Sequence, residues 1–307
     1  MHKRSTLHAS RTPGNVFAVI LIGGKGKRLR PLSTDERPKA FLSVTRNRRT
    51  MFRNTIDRIR RIIPDDNIVV VASKLHSKLV RKDAPAIKRS NLLLEPASRN
   101  TAPAIMLAAA SIVKRRKDAV IVVLPTDHYI SEEARQLECL RKGIRFMQDR
   151  RTGIVVLGLK PRYPSTQFGY IKLKPGRLAE EAGQVYRAEK FVEKPEAATA
   201  IKYLKSGKYL WNCGIFIFDA QHFIGAVKRH APKIYNILKS GTASAAAYEK
   251  LPDISLDYAI MEKALHVYCV KGSYGWNDVG SFGALKKVLR REGRSFVEKD
   301  GKVLKIP

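Results

Sequence analysis

Short runs of apolar residues alternate with longer helical patterns through the first half of the chain. The runs consist largely of valine, isoleucine and leucine, which is typical of parallel strands buried on both faces of a sheet. The segments between them repeat apolar residues at helical spacing, which predicts amphipathic helices covering those faces. The predicted strands are VFAVILI, IVVVAS, NLLLEP, AVIVVLP and GIVVLGL, and the predicted helices are MFRNTIDRIRRII, NTAPAIMLAAASIVKRR and SEEARQLECLRKGIRFMQD.

The pattern changes after Pro161. The segments GYIKL, VYRAEKFVEKP and YLWNCGIFIFD alternate apolar and polar residues and contain more aromatic rings, so we expect strands that line a ligand site. Helical patterns follow near His222 to Leu238 and Gly283 to Arg291. The sequence therefore predicts an α/β fold with a doubly wound, mostly parallel, Rossmann-like sheet and an added mixed-strand region. We expect a flexible basic leader at 1–15, one domain at 16–292 and a short C-terminal tail at 293–307.

Length and composition agree with one large domain. The chain has 307 residues, of which 44% are hydrophobic, enough for a substantial core. Its three cysteines lie far apart without a CxxC pair, which argues against a disulfide framework or zinc site and favours a cytoplasmic setting. No apolar run approaches the roughly 18 residues that a membrane span needs. The start, MHKRSTLHASRTPGN, lacks the apolar core of a signal peptide.

The charge balance is strongly basic. The chain has 59 lysines and arginines against 27 aspartates and glutamates, a formal charge of +32. Such a charge attracts polyanions, whether nucleic acid, acidic membranes or phosphorylated ligands. Aromatic residues are sparse between the basic clusters and no nucleic-acid reading motif is present, so we expect no specific nucleic-acid binding. The clusters considered are Arg46 to Arg49, Arg58 to Arg61 and Lys114 to Lys117.

Polar segments follow the predicted strands where each one ends. GGKGKR, EPASRN and PTDH follow three of the strands, and EKP and NDVG end later segments. Ligands of open α/β sheets collect beyond the carboxyl ends of the strands, so we expect these segments to meet in one cleft. Glycines let backbone N–H groups approach a phosphate closely, and lysines and arginines supply countercharge. The cations in question are Lys25, Lys27, Arg28 and Lys39.

Two common phosphate motifs do not fit this glycine-rich segment. A P-loop requires Ser or Thr after Gly26-Lys27, where the chain has Arg28. A dinucleotide fingerprint that starts at Gly24 requires Gly or Ala where the chain has Leu29. The segment therefore predicts a polyphosphate site of another kind.

Eight motifs, in order from about residue 17 to residue 282, carry a family resemblance. They are GGKGKRLRPLS with RPK, EPASRNTAPAI, LPTDH, FGYI, FVEKP, WNCGIFIF, SLDYAIMEK and WNDVGSF. Together they resemble the sugar-1-phosphate nucleotidyltransferases, above all the branch that acts on mannose 1-phosphate and GTP. The resemblance implies that mannose 1-phosphate attacks the α-phosphorus of GTP, giving GDP-mannose and pyrophosphate without a covalent enzyme intermediate. An alternative is the same transfer with glucose 1-phosphate and dTTP or UTP.

The resemblance also implies roles for individual residues. Arg28, Lys39 and Lys194 would be catalytic, and Asp127 and Asp278 would hold Mg²⁺, which oxygen ligands suit. The residues implied to bind the nucleotide are Gly23, Gly24, Gly26, Lys27, Glu95, Arg99, Asn100 and Thr101. Those implied to bind the sugar phosphate are Gly169, Tyr170, Glu193, Lys194 and Asn212.

Some residues depart from the family pattern. Lys27 replaces a common threonine, Cys213 replaces a serine near the expected sugar pocket, and Phe282 replaces a tryptophan. We interpret His128 as structural, because a phosphate nucleophile is already ionised at neutral pH and needs no general base. The chain length leads us to expect no second catalytic domain. The oligomeric state stays open, with a homodimer among the alternatives.

Overall fold

The computed structural model describes residues 14–24, 26–176, 185–299 and 302–305. Helices and strands alternate along the first half of this part of the chain, as the apolar pattern predicts. The strands are β1 (Val16–Ile22), β2 (Ile68–Ser73), β3 (Leu92–Glu95), β4 (Val120–Pro125), β5 (Tyr129–Ile130), β6 (Ile154–Leu159), β7 (Tyr170–Leu173), β8 (Val185–Val192), β9 (Tyr209–Asp219), β10 (Val267–Gly272), β11 (Trp276–Asn277), β12 (Phe296–Lys299) and β13 (Lys302–Lys305). The α-helices are α1 (Met51–Ile59), α2 (Ser77–Asp83), α3 (Thr101–Arg115), α4 (Glu133–Arg150), α5 (Ala197–Ser206), α6 (Ala220–His230), α7 (Pro232–Leu238), α8 (Ala245–Glu249) and α9 (Phe282–Arg291).

The central sheet has the order β3-β2-β1-β4-β9-β6-β10-β8-β7 among the described residues. Strands β3, β2, β1 and β4 are parallel to one another, and β6 is parallel to β10. Strand β9 runs antiparallel between β4 and β6. The α/β class is confirmed. Of the aromatic strands of the second half, β8 and β7 extend the edge of the sheet, whereas β9 is inserted between β4 and β6.

Helices cover both faces of this sheet, which makes it doubly wound. On one face, Phe52 of α1 and Leu140 of α4 pack into a cluster with the strands. On the other face, Ile105 of α3 and Phe223 of α6 do the same. Burying a side chain of this size stabilises the fold by about 1.5–3 kcal/mol. Because both faces are covered, the strands need apolar residues at every position, which explains the unbroken runs in the sequence.

The register of the parallel strands aligns their carboxyl ends. Ile22 of β1 lies opposite Ala72 of β2, and Ser73 lies opposite Glu95 of β3. Pro125 of β4 lies opposite Leu21 of β1. The segments GGKGKR, EPASRN and PTDH therefore begin at one edge of the sheet, as the sequence predicts.

A separate apolar cluster packs the C-terminal region against the residues that follow the glycine-rich segment. Leu29 and Leu32, which follow the glycines, pack with Val279, with Leu285 of α9 and with Val297 of β12. Strands β12 and β13 form an antiparallel hairpin in the part predicted as a tail. Residues 1–13 of the predicted leader and Lys25 lie outside the described residues. Within the part that the structure describes, no helix has the length and apolar character to cross a membrane.

Candidate active site

A cavity of about 170 Å³ lies beyond the end of β1. Its walls combine backbone from the glycine-rich segment with cationic side chains and one carboxylate. This arrangement offers N–H donors and positive charge to an anion in one small space. The residues lining it are Gly24, Gly26, Lys27, Arg28, Leu29, Lys39, Asp127 and Gly280.

The shape of the glycine-rich segment depends on Gly26. Its φ is +56°, in the left-handed region, and a Cβ there would lie 2.6 Å from Ser33 Oγ. Ser33 Oγ donates a hydrogen bond of 2.6 Å to the Gly26 carbonyl oxygen, which closes the turn. Gly24 also has a positive φ, +82°, whereas Gly23 is exposed and has open space around it. The requirement for glycine is therefore strongest at Gly26.

Lys39 links this segment to the two aspartates predicted to hold metal. Its side chain is buried, and Nζ lies 2.7 Å from Asp127 Oδ2. The same Nζ donates to the main-chain oxygen of Asp278 at 2.6 Å. Burial alone would raise the pKa of Asp127, but the neighbouring Lys39 ammonium outweighs it and the pKa is lowered. Asp127 is thus ionised at neutral pH.

Asp278 lies in a constrained turn. The Asn277 side-chain oxygen accepts a 2.7 Å hydrogen bond from the Val279 N–H, and Val279 has a φ of +47°, unusual for a β-branched residue. A Cβ on Gly280 would lie 2.4 Å from Asp278 Oδ2 and 3.2 Å from Arg28 Nη2. The Asp278 carboxylate and the Arg28 guanidinium therefore both approach Gly280, at the wall of the cavity.

His128 follows Asp127 but faces an aromatic cluster. Its ring lies edge-on to Trp276 with centroids 5.3 Å apart, and its Nε2 lies 4.0 Å from Asp127 Oδ1. Burial lowers the pKa of His128 to about 4, so the imidazole is neutral at physiological pH. This environment agrees with the structural interpretation of His128.

The predicted sugar-phosphate residues converge on Gly169. A Cβ on Gly169 would lie 2.5 Å from Glu193 Oε2 and 3.2 Å from the Cβ of Asn212, so only glycine leaves this space open. The Asn212 N–H donates to the Gly169 carbonyl oxygen at 2.8 Å. Lys194 Nζ lies 2.7 Å from Glu193 Oε1, and the Lys194 side chain is 48% exposed against 7% for Glu193. The ammonium is thus the more accessible member of the pair.

Tyr170 differs from its neighbours in this group. Its side chain is completely buried, and its hydroxyl donates to the Ser165 carbonyl oxygen at 3.0 Å. The ring packs with Phe168 and Trp211 in an aromatic cluster. Any contact between Tyr170 and a sugar would therefore involve the backbone, because the side chain forms part of the support behind the site.

Asp257, which the family resemblance does not single out, belongs to the same group. Asn212 Nδ2 donates to Asp257 Oδ1 at 3.0 Å. Burial, together with the nearby Glu193 carboxylate, raises the pKa of Asp257 to about 7. Asp257 begins the π-helical turn Asp257–Met261, and such turns often occur at functional sites. The signal in the sequence was an aspartate within the otherwise apolar stretch of SLDYAI.

Three of the four residues predicted to bind the base form hydrogen bonds with residues 248–256. Tyr248 donates from its hydroxyl to Glu95 Oε1 at 2.5 Å, and burial raises the pKa of Glu95 to about 7. Arg99 Nη2 donates to the Glu249 carbonyl oxygen. Asn100 caps α3 by accepting from the Thr101 N–H, and Thr101 Oγ1 accepts from the Leu256 N–H. The structure thus groups all four, but it also gives each one a structural partner.

The family of the chain follows from comparison with known proteins. A family model described as "Nucleotidyl transferase" matches residues 17–293. The chain belongs to the nucleotidyl transferase family. Alginate biosynthesis protein AlgA of Pseudomonas fluorescens is 35% identical over 302 residues, covering 94% of this chain and 61% of that protein. Mannose-1-phosphate guanylyltransferase RfbM of Salmonella typhimurium is 34% identical over 289 residues, covering 89% of this chain and 59% of that protein.

The fold of this nucleotidyl transferase also matches solved structures. One from Thermus thermophilus, described as a mannose-1-phosphate geranyltransferase, superposes with a TM-score of 0.81 at 35% identity, covering 89% of this chain and 79% of that one. The chain spans about 60% of the length of the curated relatives that it matches.

The three departures from the family pattern have different structural settings. Cys213 is 1% exposed and lies in the core cluster with Tyr274, away from the space around Gly169. The Cys213 thiol packs among core side chains, whereas the neighbouring Asn212 bonds to Asp257. Phe282 packs against the cluster that supports the glycine-rich segment. Lys27 is exposed at the cavity wall, where it adds positive charge.

Proposed function

We propose that this nucleotidyl transferase transfers a guanylyl group from GTP to mannose 1-phosphate, forming GDP-mannose and pyrophosphate. The observation that carries the proposal is that a cationic cavity lies next to the predicted sugar-phosphate residues around Gly169. A hydrogen bond of 2.9 Å between Arg28, which lines the cavity, and Gln167, which precedes Gly169, connects the two. The Salmonella relative, a mannose-1-phosphate guanylyltransferase, supplies the choice of base and sugar.

The reaction requires one bond to form and one to break. A phosphate oxygen of the sugar 1-phosphate forms a bond to the α-phosphorus of GTP, and the bond from that phosphorus to the oxygen bridging to the β-phosphate breaks. Pyrophosphate leaves with that electron pair, so no enzyme nucleophile or external oxidant is needed. Two anions must be brought together, and alignment and charge stabilisation therefore account for most of the catalysis.

The nucleotide side of the site would use the backbone and three cations. The N–H groups near Gly24 and Gly26 would bind the triphosphate, and Lys27 would add charge at its exposed edge. Arg28 and Lys39 would stabilise charge at the α-phosphate and on the leaving pyrophosphate. Lys39 is held in place by Asp127 and by the Asp278 carbonyl oxygen, so it needs little reorganisation during the reaction.

A divalent cation is implied by the family, and the donors present fit Mg²⁺. The candidates are the carboxylates of Asp127 and Asp278, and oxygen ligands are those that Mg²⁺ prefers. Among the described residues, no group of three or more His, Cys, Asp and Glu side chains could hold a metal, so phosphate or water oxygens would complete the ligand set. When bound, the ion would neutralise phosphate charge and orient the phosphates.

The sugar side would use a cation and hydrogen-bonding groups. Lys194, the more exposed member of its ion pair, would bind the phosphate of the sugar 1-phosphate. Glu193 and Asn212 would bind sugar hydroxyls in the space that Gly169 leaves open. For the base, Glu95, Arg99, Asn100 and Thr101 are the candidates at the end of β3. An ionised Glu95 would accept from the N1–H and amino group of guanine.

The test is a grid of nucleoside triphosphates and sugar 1-phosphates with Mg²⁺, in which pyrophosphate release is measured. We expect the highest kcat/KM with GTP and mannose 1-phosphate. Faster release with glucose 1-phosphate and dTTP or UTP would replace this proposal with the alternative specificity. No release with any pair would refute nucleotidyl transfer by this chain.

A further inference from the structure

Arg28 makes one side-chain hydrogen bond among the described residues. Its acceptor belongs to the segment just before Gly169, where the predicted sugar-phosphate residues lie. Arg28 Nη1 donates to Gln167 Oε1 at 2.9 Å, across 139 positions of the sequence. Gln167 lies in the segment between β6 and β7, two residues before Gly169. The hydrogen bond therefore joins the wall of the phosphate cavity to the segment that leads into the predicted sugar-phosphate residues around Gly169.

The segment that carries Gln167 is held in place by its own hydrogen bonds. The Gln167 N–H donates to Ser165 Oγ at 3.1 Å, and Ser165 is buried. The Ser165 carbonyl oxygen in turn accepts from the hydroxyl of the fully buried Tyr170. This chain of contacts fixes the backbone at Gln167, although its side chain is exposed.

A neutral amide has a particular advantage next to a cation that must bind phosphate. The amide oxygen orients the guanidinium without adding negative charge beside it, whereas a carboxylate at this position would form an ion pair and compete with phosphate oxygens. The contrast within this site is Lys39, whose ammonium is already paired with Asp127. Arg28 forms no ion pair among the described residues, although the Asp278 carboxylate also approaches Gly280.

We propose that Gln167 is a positioning residue that holds Arg28 between the two phosphate groups that react. The inference rests on the proposed function. The Arg28 guanidinium, oriented by Gln167, would contact the nucleotide phosphate and the incoming sugar phosphate together. Gln167 acts through Arg28 and need not touch either substrate.

The experiment compares Gln167→Ala and Gln167→Glu in steady-state kinetics with GTP and mannose 1-phosphate. Loss of a hydrogen bond to a charged group is expected to lower kcat of Gln167→Ala by roughly 10-fold. In Gln167→Glu the carboxylate can still accept the hydrogen bond from Arg28, but its negative charge offsets the positive charge of the guanidinium. The KM for GTP is therefore expected to rise more than in Gln167→Ala. Gln148→Ala, which removes an amide bonded to Asn15 instead, serves as the matched control and should leave both constants unchanged.

A double-mutant cycle with Arg28→Ala decides whether Gln167 acts through Arg28. When Arg28 is already alanine, Gln167→Ala should change neither kcat nor the Kd for GTP any further. The Kd is measured by calorimetry, which works even in a variant whose turnover is slow. Equal effects in both backgrounds, or no effect in either, would overturn the inference. If the unsubstituted chain prefers another substrate pair, the cycle is run with that pair. If it transfers no nucleotide at all, the proposed function fails first.

Discussion

Lys39 and Lys194 show how one residue type serves two different environments. The Lys39 ammonium is buried between the Asp127 carboxylate and the Asp278 carbonyl oxygen. Lys194 is half exposed and pairs with Glu193. Burial would lower the pKa of Lys194, but the Glu193 carboxylate raises it on balance, so the ammonium stays charged at neutral pH.

These environments predict different kinetic effects for the two lysines. Lys194→Ala should mainly raise the KM for mannose 1-phosphate, because a contact present in the ground state is lost. Lys39→Ala should mainly lower kcat, because its charge matters most as negative charge moves onto pyrophosphate. Steady-state kinetics with each substrate varied in turn measure both effects. If each variant affected both substrates equally, the assignment would be wrong.

The two candidate metal ligands give a second prediction at this scale. Asp127→Asn and Asp278→Asn should each lower kcat by several orders of magnitude while circular dichroism shows an intact fold. Asp149→Asn, a change at an exposed position on α4, should leave kcat unchanged. The apparent affinity for Mg²⁺, measured by titration of activity and by calorimetry with GTP present, should fall in both variants. Activity near that of the unsubstituted chain in both would remove the proposed metal site.

Glu95 and Asp257 make stability depend on pH. Their carboxyls have pKa values raised to about 7, mainly by burial, from ordinary values of 4.5 and 3.8. Both therefore bind a proton more tightly in the folded chain than in the unfolded one. Their contribution to stability is complete below about pH 4 and is lost as the pH rises toward 7, on the order of 3 kcal/mol for Glu95.

Amide substitutions test this pH dependence. Glu95→Gln can still accept from Tyr248, and Asp257→Asn can still accept from Asn212, so each keeps its hydrogen bond and loses the ionisation. The free energy of unfolding from urea titrations should then fall less between pH 5 and pH 8 in each variant. An unchanged slope in both variants would show that neither carboxyl titrates in this range.

At the scale of elements, the long apolar runs were the most predictable part of the chain. Strands β1, β2 and β4 match their predicted segments because burial on both faces forces an unbroken apolar pattern. Strand β10 was not among the predicted elements, although VYCVKG is as long as β2 and its first four residues are buried. Helix α5 was not predicted either, since AATAIKYLKS has one fully buried residue. Local pattern is weak where an element buries little of its surface.

The turn at Gly26 provides a test of how one element shapes the site. Gly26→Ala places a Cβ at positive φ, 2.6 Å from Ser33 Oγ, so the turn must open and the backbone N–H groups must move. We expect a fall in kcat/KM for GTP of at least roughly 10-fold, with a loss of stability on the order of 1 kcal/mol. Gly225→Ala is the control, because it lies in helix α6 with open space around it and should be neutral or slightly stabilising. Equal activity in the two variants would argue against a role for the turn.

The charge of +32 is a property of the whole molecule. We expect it to steer anionic substrates toward the site, so kcat/KM should fall as NaCl is raised while kcat changes less. Binding to DNA or RNA should be independent of sequence and should fade at physiological salt. Kinetics over a salt series and a gel-shift assay with unrelated duplexes measure the two effects. Tight, sequence-selective binding at that salt would point to a nucleic-acid function instead.

The sequence by itself determined the family, the α/β class and the edge of the sheet where the polar segments meet. It could do so because burial on both faces and glycine at positive φ leave local patterns in the chain. Only the tertiary structure decided that β9 lies inside the sheet, that Cys213 faces the core and that Asp257 bonds to Asn212. Each of these depends on contacts between residues far apart in the chain, and such contacts leave no periodic signal in a single sequence.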